Sequence, residues 1–267
     1  MRIWLPIAIL ILWVFTGLAA PWLPLEPNAI DLERILASPL TVGGLGYDDL
    51  GRKMLDRLAA GSTTSFLVAF WVVGLSALVG TVVGSFTAYI GGLWDRLLVH
   101  IIDLFLAFPG ILLAIALAGI LGPGIENVVL ALTVVGWVGY ARLARAQVLS
   151  LRNREHVMAA VALGVPRTRI VRYHLLPLIS APLIVEATFG IAAVVVAEAG
   201  LSFLGLGVQP PEASWGSMIR DGTRYLLVAP HMVLVPGIAM VLVVLAVNLL
   251  GDRLRDRLDV RTAGGRE

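Results

Sequence analysis

The sequence predicts an all-α integral membrane protein with six transmembrane helices, on three observations. Of 267 residues, 58% are hydrophobic and only 14% charged, against about 45–50% and about 25% in soluble domains. The mean hydropathy is +0.90. Six stretches (residues 3–23, 66–90, 97–121, 128–146, 178–199 and 231–250) reach the ~20 apolar residues a helix needs to cross a ~30 Å hydrocarbon core.

The elements follow in order. The first stretch, MRIWLPIAILILWVFTGLAAPW, reads in two ways. One basic residue, an apolar run and small residues at 17–20 fit a cleavable signal peptide. Trp22, Pro21 and Pro24 equally suit the interfacial end of a retained helix. Residues 25–61 form the longest polar insertion, rich in Pro, Gly and acids, with a short helical pattern at 50–58. The second span follows. The third contains Asp103 and Pro109, the fourth ends among Arg142 and Arg145, and the fifth contains Glu186 and Glu198. Gly and Pro within a span are tolerated because neighbouring helices re-satisfy the backbone. Residues 202–230 form a second polar segment, where Gln209, Pro210 and Pro211 cannot be helix interior. The expected organisation is a first helix at 1–24, an extracytoplasmic segment at 25–61, a membrane domain at 62–251 and a cytoplasmic tail at 252–267.

Six spans put both termini on one side. With an inside N-terminus, the inner segments hold fourteen of the twenty basic residues and the outer segments six: Arg34, Arg52, Lys53, Arg57, Arg220 and Arg224. Basic residues accumulate on the cytoplasmic side. Both termini are therefore expected in the cytoplasm, and the basic residues report topology rather than nucleic-acid binding.

The motifs of enzymes are absent. There is no G-x-x-x-x-G-K-[ST] phosphate loop, no H-E-x-x-H and no G-x-S-x-G. The chain has no cysteine, and its four histidines lie in different segments. No catalytic residue, bound cofactor or metal site is expected. Asp103 and Glu198 lie within spans, where an ionisable group by default suggests function. They are candidates for a translocation path, although both sit near span ends and can equally reach the interface or an arginine. A stand-alone proton-coupled carrier built on them is the rival from another class. An intramembrane hydrolase is disfavoured by the missing nucleophile motifs.

Residues 152–177 are too polar to cross a bilayer. Arg152, Arg154 and Glu155 open a short helix with Val157, Met158, Val161 and Leu163 on an apolar side, while Ala159 and Ala160 keep it thin. Gly164 is a helix stop, and Pro166 suits the first turn of a second helix. Arg169 and Arg172 lie on that helix, which Pro177 is expected to end before the fifth span. Physics alone leaves two readings open: a docking surface for a partner, or an amphipathic hairpin resting on the membrane.

This stretch resembles the cytoplasmic EAA loop of ATP-binding-cassette (ABC) importer permeases: Glu-Ala-Ala, three residues, Gly, nine residues, Ile, one residue, Leu-Pro. Here Met158, Ala159, Ala160, Gly164, His174, Leu176 and Pro177 occupy those positions. Met158 replaces the acid and His174 the Ile, and Glu155, one turn earlier, is the candidate to stand in. Three further stretches resemble the branch that carries dipeptides, oligopeptides and nickel: GLGYDDLGRKMLDRLAAGSTTSF, with Gly46, Asp48, Gly51 and Arg52; LSFLGLGVQPPEASWGSMIRDG, with Gln209, Pro210, Pro211, Trp215 and Gly216; and VNLLGDRLRDRLDVR. Departures are Tyr47 for Thr, Lys53 for Asp, Asp56 for Ser, and Val247 and Val260 in the last stretch.

The resemblance implies a type I ABC importer permease fold in a bacterial inner membrane, with a coupling-helix loop between spans four and five. It implies a second homologous permease, one or two ABC ATPase subunits that handle ATP and magnesium, and an extracytoplasmic binding protein. It also favours retention of the first span. The cargo implied is a di- or oligopeptide, with nickel or another small solute as the alternative. Bulk at Ala159, Ala160 or Gly164 is expected to block docking of the ATPase.

Overall fold

A computed structural model describes residues 4–42 and 44–258. The helices in chain order are α1 Trp4–Ala19, α2 Pro39–Val42, α3 Met54–Ile90, α4 Gly92–Leu106, α5 Gly110–Leu121, α6 Ile125–Leu151, α7 Glu155–Ala162, α8 Arg167–Ile170, α9 Leu176–Phe203, α10 Trp215–Thr223 and α11 His231–Leu258. Among the described residues the only strand-like feature is an isolated bridge between Tyr47 and Lys53. Five helical stretches are long and apolar enough to cross a membrane, and α4 with α5 makes a sixth as a bent pair.

Each expected span is present, with three differences. The second begins at Met54 rather than residue 66. Its first turns carry Asp56, Arg57, Ser62 and Ser65, all buried, so hydropathy reads as loop what tertiary packing makes helix. At ~1.5 Å per residue α3 runs ~55 Å and projects well beyond a bilayer. The third span is not one rod: α4 and α5 meet at 85°. Pro109 caps α5 and has no N–H to continue the ladder. Pro177 does not end a helix. It lies in the first turn of α9, where its missing N–H would be unpaired anyway. Arg167–Ile170 runs through a π-helical turn at Val171–Leu175 directly into α9.

Close backbone approach holds the centre. α3 and α6 cross where Gly80 and Gly84 face Tyr140 and Ala141. A Cβ on Gly80 would lie 2.6 Å from the Tyr140 Cβ, and one on Gly84 2.9 Å from the Ala141 Cα. Small residues four apart are how membrane helices pack without a hydrophobic driving force. α1 is part of the bundle: Trp13 is buried edge-on against Phe66 at 5.7 Å, in one cluster with Val243 and Val247 of α11. That packing suits a retained helix. The expected tail at 252–267 begins inside α11. Residues 259–267, including Val260, lie outside the described residues, as do residues 1–3 and 43.

The ends differ in construction. At one, residues 20–53 and 204–230 fold over the tops of α3 and α11 and form a rim. At the other, α7 and α8 lie against α3, α6 and the start of α9, among most of the arginines.

Candidate coupling surface

α7 is a two-turn helix fixed by three devices. Val157 and Ala160, three residues apart, are buried at 0% and 5% exposure. They pack with Ala88, Val148, Ile170, Val171, Leu175 and Ile179. Glu155 sits in the first turn, where a carboxylate complements the helix dipole. The C-terminus closes in a Schellman motif: the Val165 N–H donates to the Ala160 carbonyl at 3.1 Å and the Gly164 N–H to Val161 at 3.0 Å. Gly164 has φ +74° with open space around it. Its role is therefore conformational. Pro166 then caps α8, its carbonyl accepting from Arg169 and Ile170.

The opposite face of α7 is bare. Met158, Val161 and Leu163 are exposed, Leu163 at 84%. Glu155 and Ala159 are exposed beside them, as is Pro177 at the start of α9. Arg154, which caps α7, Arg167 and Arg169 on α8, and Arg172 in the turn that follows are exposed as well. Nearby, Arg145 donates to Asp95 through Nε at 2.6 Å and an η nitrogen at 2.9 Å, and Arg152 donates to the Ala88 carbonyl at 3.0 Å. One expectation changes: Ala160 faces inward, so bulk there would push α7 off the bundle rather than meet a partner. Leu176 is half-buried.

The rim gathers the other motif residues. Asp48 is 3% exposed. It accepts from the Arg52 backbone N–H at 2.9 Å and from Arg52 Nε at 2.6 Å, and Arg57 Nε lies 3.3 Å away. Gly51 has φ +71°, and a Cβ there would overlap the Asp31 carbonyl oxygen. At Gly46 (φ +83°) a Cβ would meet the His231 ring at 2.8 Å. His231 Nε2 is 3.0 Å from the Tyr47 carbonyl. The Gln209 amide donates to the carbonyls of Gly205 and Gly207. Pro210–Pro211 is a cis peptide, and the Pro211 carbonyl accepts from Arg57 at 3.3 Å. Trp215 Nε1 donates to Leu58 at 3.0 Å, and Gly216 lets α10 touch Ala199. Burial, reinforced by Asp48, pushes the Asp49 carboxyl above its ordinary range.

The two candidate translocation acids, Asp103 and Glu198, are not brought together. Glu198 is fully buried and accepts from Ser202 Oγ at 2.7 Å and Ser65 Oγ at 3.2 Å, a bond between α3 and α9. Asp103 is exposed on α4. Arg57, His231 and Ser65 were not legible as partners, because they meet acceptors across long sequence separations.

The family model described as "binding-protein-dependent transport system inner membrane component" matches residues 80–264. A dipeptide transport system permease protein of Alkalihalophilus pseudofirmus is 42% identical over 84% of this chain and 74% of its own length. A nickel transport system permease protein of Escherichia coli K12 is 40% identical over 89% and 86%. A glutathione transport system permease protein of E. coli is 37% identical over 95% and 84%. Among solved structures, an inward-facing MetNI methionine ABC transporter superposes with a TM-score of 0.62, covering 77% of this chain and 97% of that one at 20% identity, a likeness of fold.

Proposed function

The chain belongs to the binding-protein-dependent transport system inner membrane component family, the permeases of ABC importers, and from that premise we propose that it forms half of a translocation pathway for di- or oligopeptides. A second homologous permease completes the pathway. One or two ATPase subunits bind at the α7 end and handle the nucleotide and its magnesium, so this chain itself carries out no hydrolysis. A binding protein delivers cargo at the rim. The arginine-rich end is cytoplasmic by the charge rule, which places both termini inside.

The observation that carries this reading is the exposure of the apolar side chains Met158, Val161 and Leu163 at α7, a helix that Val157 and Ala160 anchor to the bundle. Exposed apolar side chains among exposed arginines mark an interaction surface. Because Val157 and Ala160 tie α7 to α6 and α9, a displacement of α7 is passed to those helices as a rigid unit. Closure of the ATPases then rocks the two permeases between inward- and outward-open arrangements. Glu155 stands ready to supply the charge that position 158 lacks. Nickel remains the second cargo, since a nickel permease is among the similar proteins.

The test is Leu163→Asp in the assembled complex. We expect ATPase co-purification to fall and ATP-driven uptake to drop at least tenfold, with the permease pair intact. Unchanged co-purification and uptake would remove α7 as the coupling element. Uptake by the purified chain alone, driven by a pH gradient and indifferent to ATP, would replace the importer reading with that of a proton-coupled carrier.

A further inference from the structure

A second polar feature lies midway between the two ends, at the corner where α4 meets α5. α4 has 15 residues and α5 has 12, so neither alone spans a ~30 Å hydrocarbon core. α4 leaves the arginine-rich end, where α3 stops at Ile90. α5 reaches the rim, where the Gly124 N–H donates to the Leu206 carbonyl at 3.0 Å. The corner therefore lies about 18 Å along α5 from the rim, at membrane depth. Ala107, Phe108 and Pro109 are non-helical there and exposed. The Ala107 and Phe108 carbonyls accept no hydrogen bond among the described residues. Irregular backbone at such depth does not face lipid; it is buried in protein or lines water.

A carboxyl group occupies the same side of the bundle. Glu186 of α9 is exposed, and it lines a cavity of about 270 Å³ together with Gly110 and Ile111 of α5. α6 fixes the spacing. A Cβ on Gly110 would lie 3.3 Å from Val135 Cγ1, and one on Gly139 3.6 Å from Glu186 Oε1. Val135 and Gly139 are four residues apart, so they stack on one face of α6, ~6 Å apart along its axis. The corner and the carboxyl thus sit about one helical turn apart on one stripe. They lie ~15 and ~21 Å along α6 from its rim-side start at Ile125. An exposed ionisable group at that depth also turns away from lipid, towards protein or a water-filled cavity. A second permease makes a poor cover for this stripe. Helix contacts in membranes favour small residues that let backbones approach, whereas the corner presents Leu106, Phe108 and Leu112, each more than half exposed.

We propose that this stripe lines the water-filled path that cargo follows, and that Glu186 makes that path favour cationic groups. Water solvates both the free carbonyls and the carboxyl, and lipid solvates neither. Carbonyls and a carboxylate are acceptors only, so the stripe suits solutes that carry N–H donors. A cleft lined by one sign of charge concentrates ions of the other. The nearest exposed charges along these helices are Asp103, one turn before the corner, and Arg142, three residues beyond Gly139. Asp103 adds to the acid, and Arg142 places the opposite charge nearer the arginine-rich end. That cargo uses this water rests on the importer reading above; the water itself rests on the depth of the corner and of Glu186.

The chain has no cysteine, so an introduced one reports only its own surroundings. Phe108→Cys, Ile111→Cys and Glu186→Cys are compared with Leu78→Cys on α3 and Leu245→Cys on α11, which are 63% and 54% exposed and lie off the stripe. The whole complex is used, in proteoliposomes. The probes are a cationic and an anionic methanethiosulfonate, which modify thiols in water, and labelling of this chain is read by mass spectrometry. Positions 108, 111 and 186 are expected to react at least tenfold faster than 78 and 245. At Phe108→Cys the cationic reagent should outpace the anionic one about threefold, relative to a free thiol, and adding Glu186→Gln should remove most of that preference. Rates on the stripe as slow as at 78 and 245 would give this face to lipid or to the partner permease and overturn the path. Equal rates of the two reagents at Phe108→Cys with Glu186 in place, or a preference that survives Glu186→Gln, would overturn the role of Glu186. Fast labelling that ATP leaves unchanged, with no ATP-driven uptake, would keep the water-filled stripe and overturn the importer reading instead.

Discussion

The rim and the α7 end solve opposite problems. In the rim, the central charged groups are buried and paired within the molecule: Asp48 holds Arg52 and Arg57, and the side chains of Arg57 and His231 bond to backbone carbonyls far away in sequence. At the α7 end, charges are exposed and apolar side chains are left bare. A region that satisfies itself is a scaffold. A region that leaves Met158, Val161 and Leu163 in water is half of something. The difference separates residues whose loss should unfold the chain from residues whose loss should only disconnect it.

The largest expected effect is at Asp48. Asp48→Ala would remove the carboxylate that two buried guanidiniums share, and breaking a buried pair from one side destabilises by about 3–5 kcal/mol. We expect the purified complex to lose thermal stability strongly and protease sites to open between residues 25 and 53. Normal stability would mean that the rim is less self-contained than its geometry indicates. Leu163→Asp is the contrasting change. It removes apolar surface from a side chain already 84% exposed, so the fold should keep its stability while coupling falls tenfold, a loss of about 1.4 kcal/mol at the contact.

How much of this was legible in the sequence follows from the same contrast. Spans, loops and charge asymmetry depend on composition over many residues, and each was readable. So were Gly164 and Pro166, because helix stops are local. The break between α4 and α5 was only hinted at by Pro109, since both halves are equally apolar. The start of α3 was read as a short helical pattern at 50–58 separate from the span, because Asp56, Arg57, Ser62 and Ser65 are polar, and only the rim folding over them makes burial tolerable. Glu198 is a sequence candidate for the translocation path; the fold adds its serine partners, one of them on another helix 133 residues away.

A smaller effect is expected at Gly164. Its φ of +74° costs a residue with a Cβ about 1–2 kcal/mol, and nothing around it would clash. Gly164→Ala should therefore fray the last turn of α7 without disturbing the bundle. Coupling should fall several-fold, and raising the concentration of ATPase subunits should recover part of it. Gly164→Asn, which tolerates that region better, should lie between alanine and wild type. Equal losses for alanine and asparagine would assign the position to contact with the partner rather than to backbone shape.

The smallest effect tests the rim's one imperfect member. Asp49 Oδ1 is buried without a hydrogen bond, and its nearest cation, an Arg52 η nitrogen, is 3.6 Å away. Burial, then the neighbouring Asp48, raises the carboxyl's folded value above its ordinary one near 3.9. For an acid shifted upward, the folded state prefers the protonated form. Stability is therefore lost as pH rises from the unfolded value through the folded one, and regained as pH falls. Asp49→Asn removes that dependence. The variant should match the wild type at pH 4 and exceed it slightly at pH 8, by about 1 °C in apparent melting temperature. A variant less stable than the wild type at pH 8 would show that the ionised carboxylate is held by Arg52 after all.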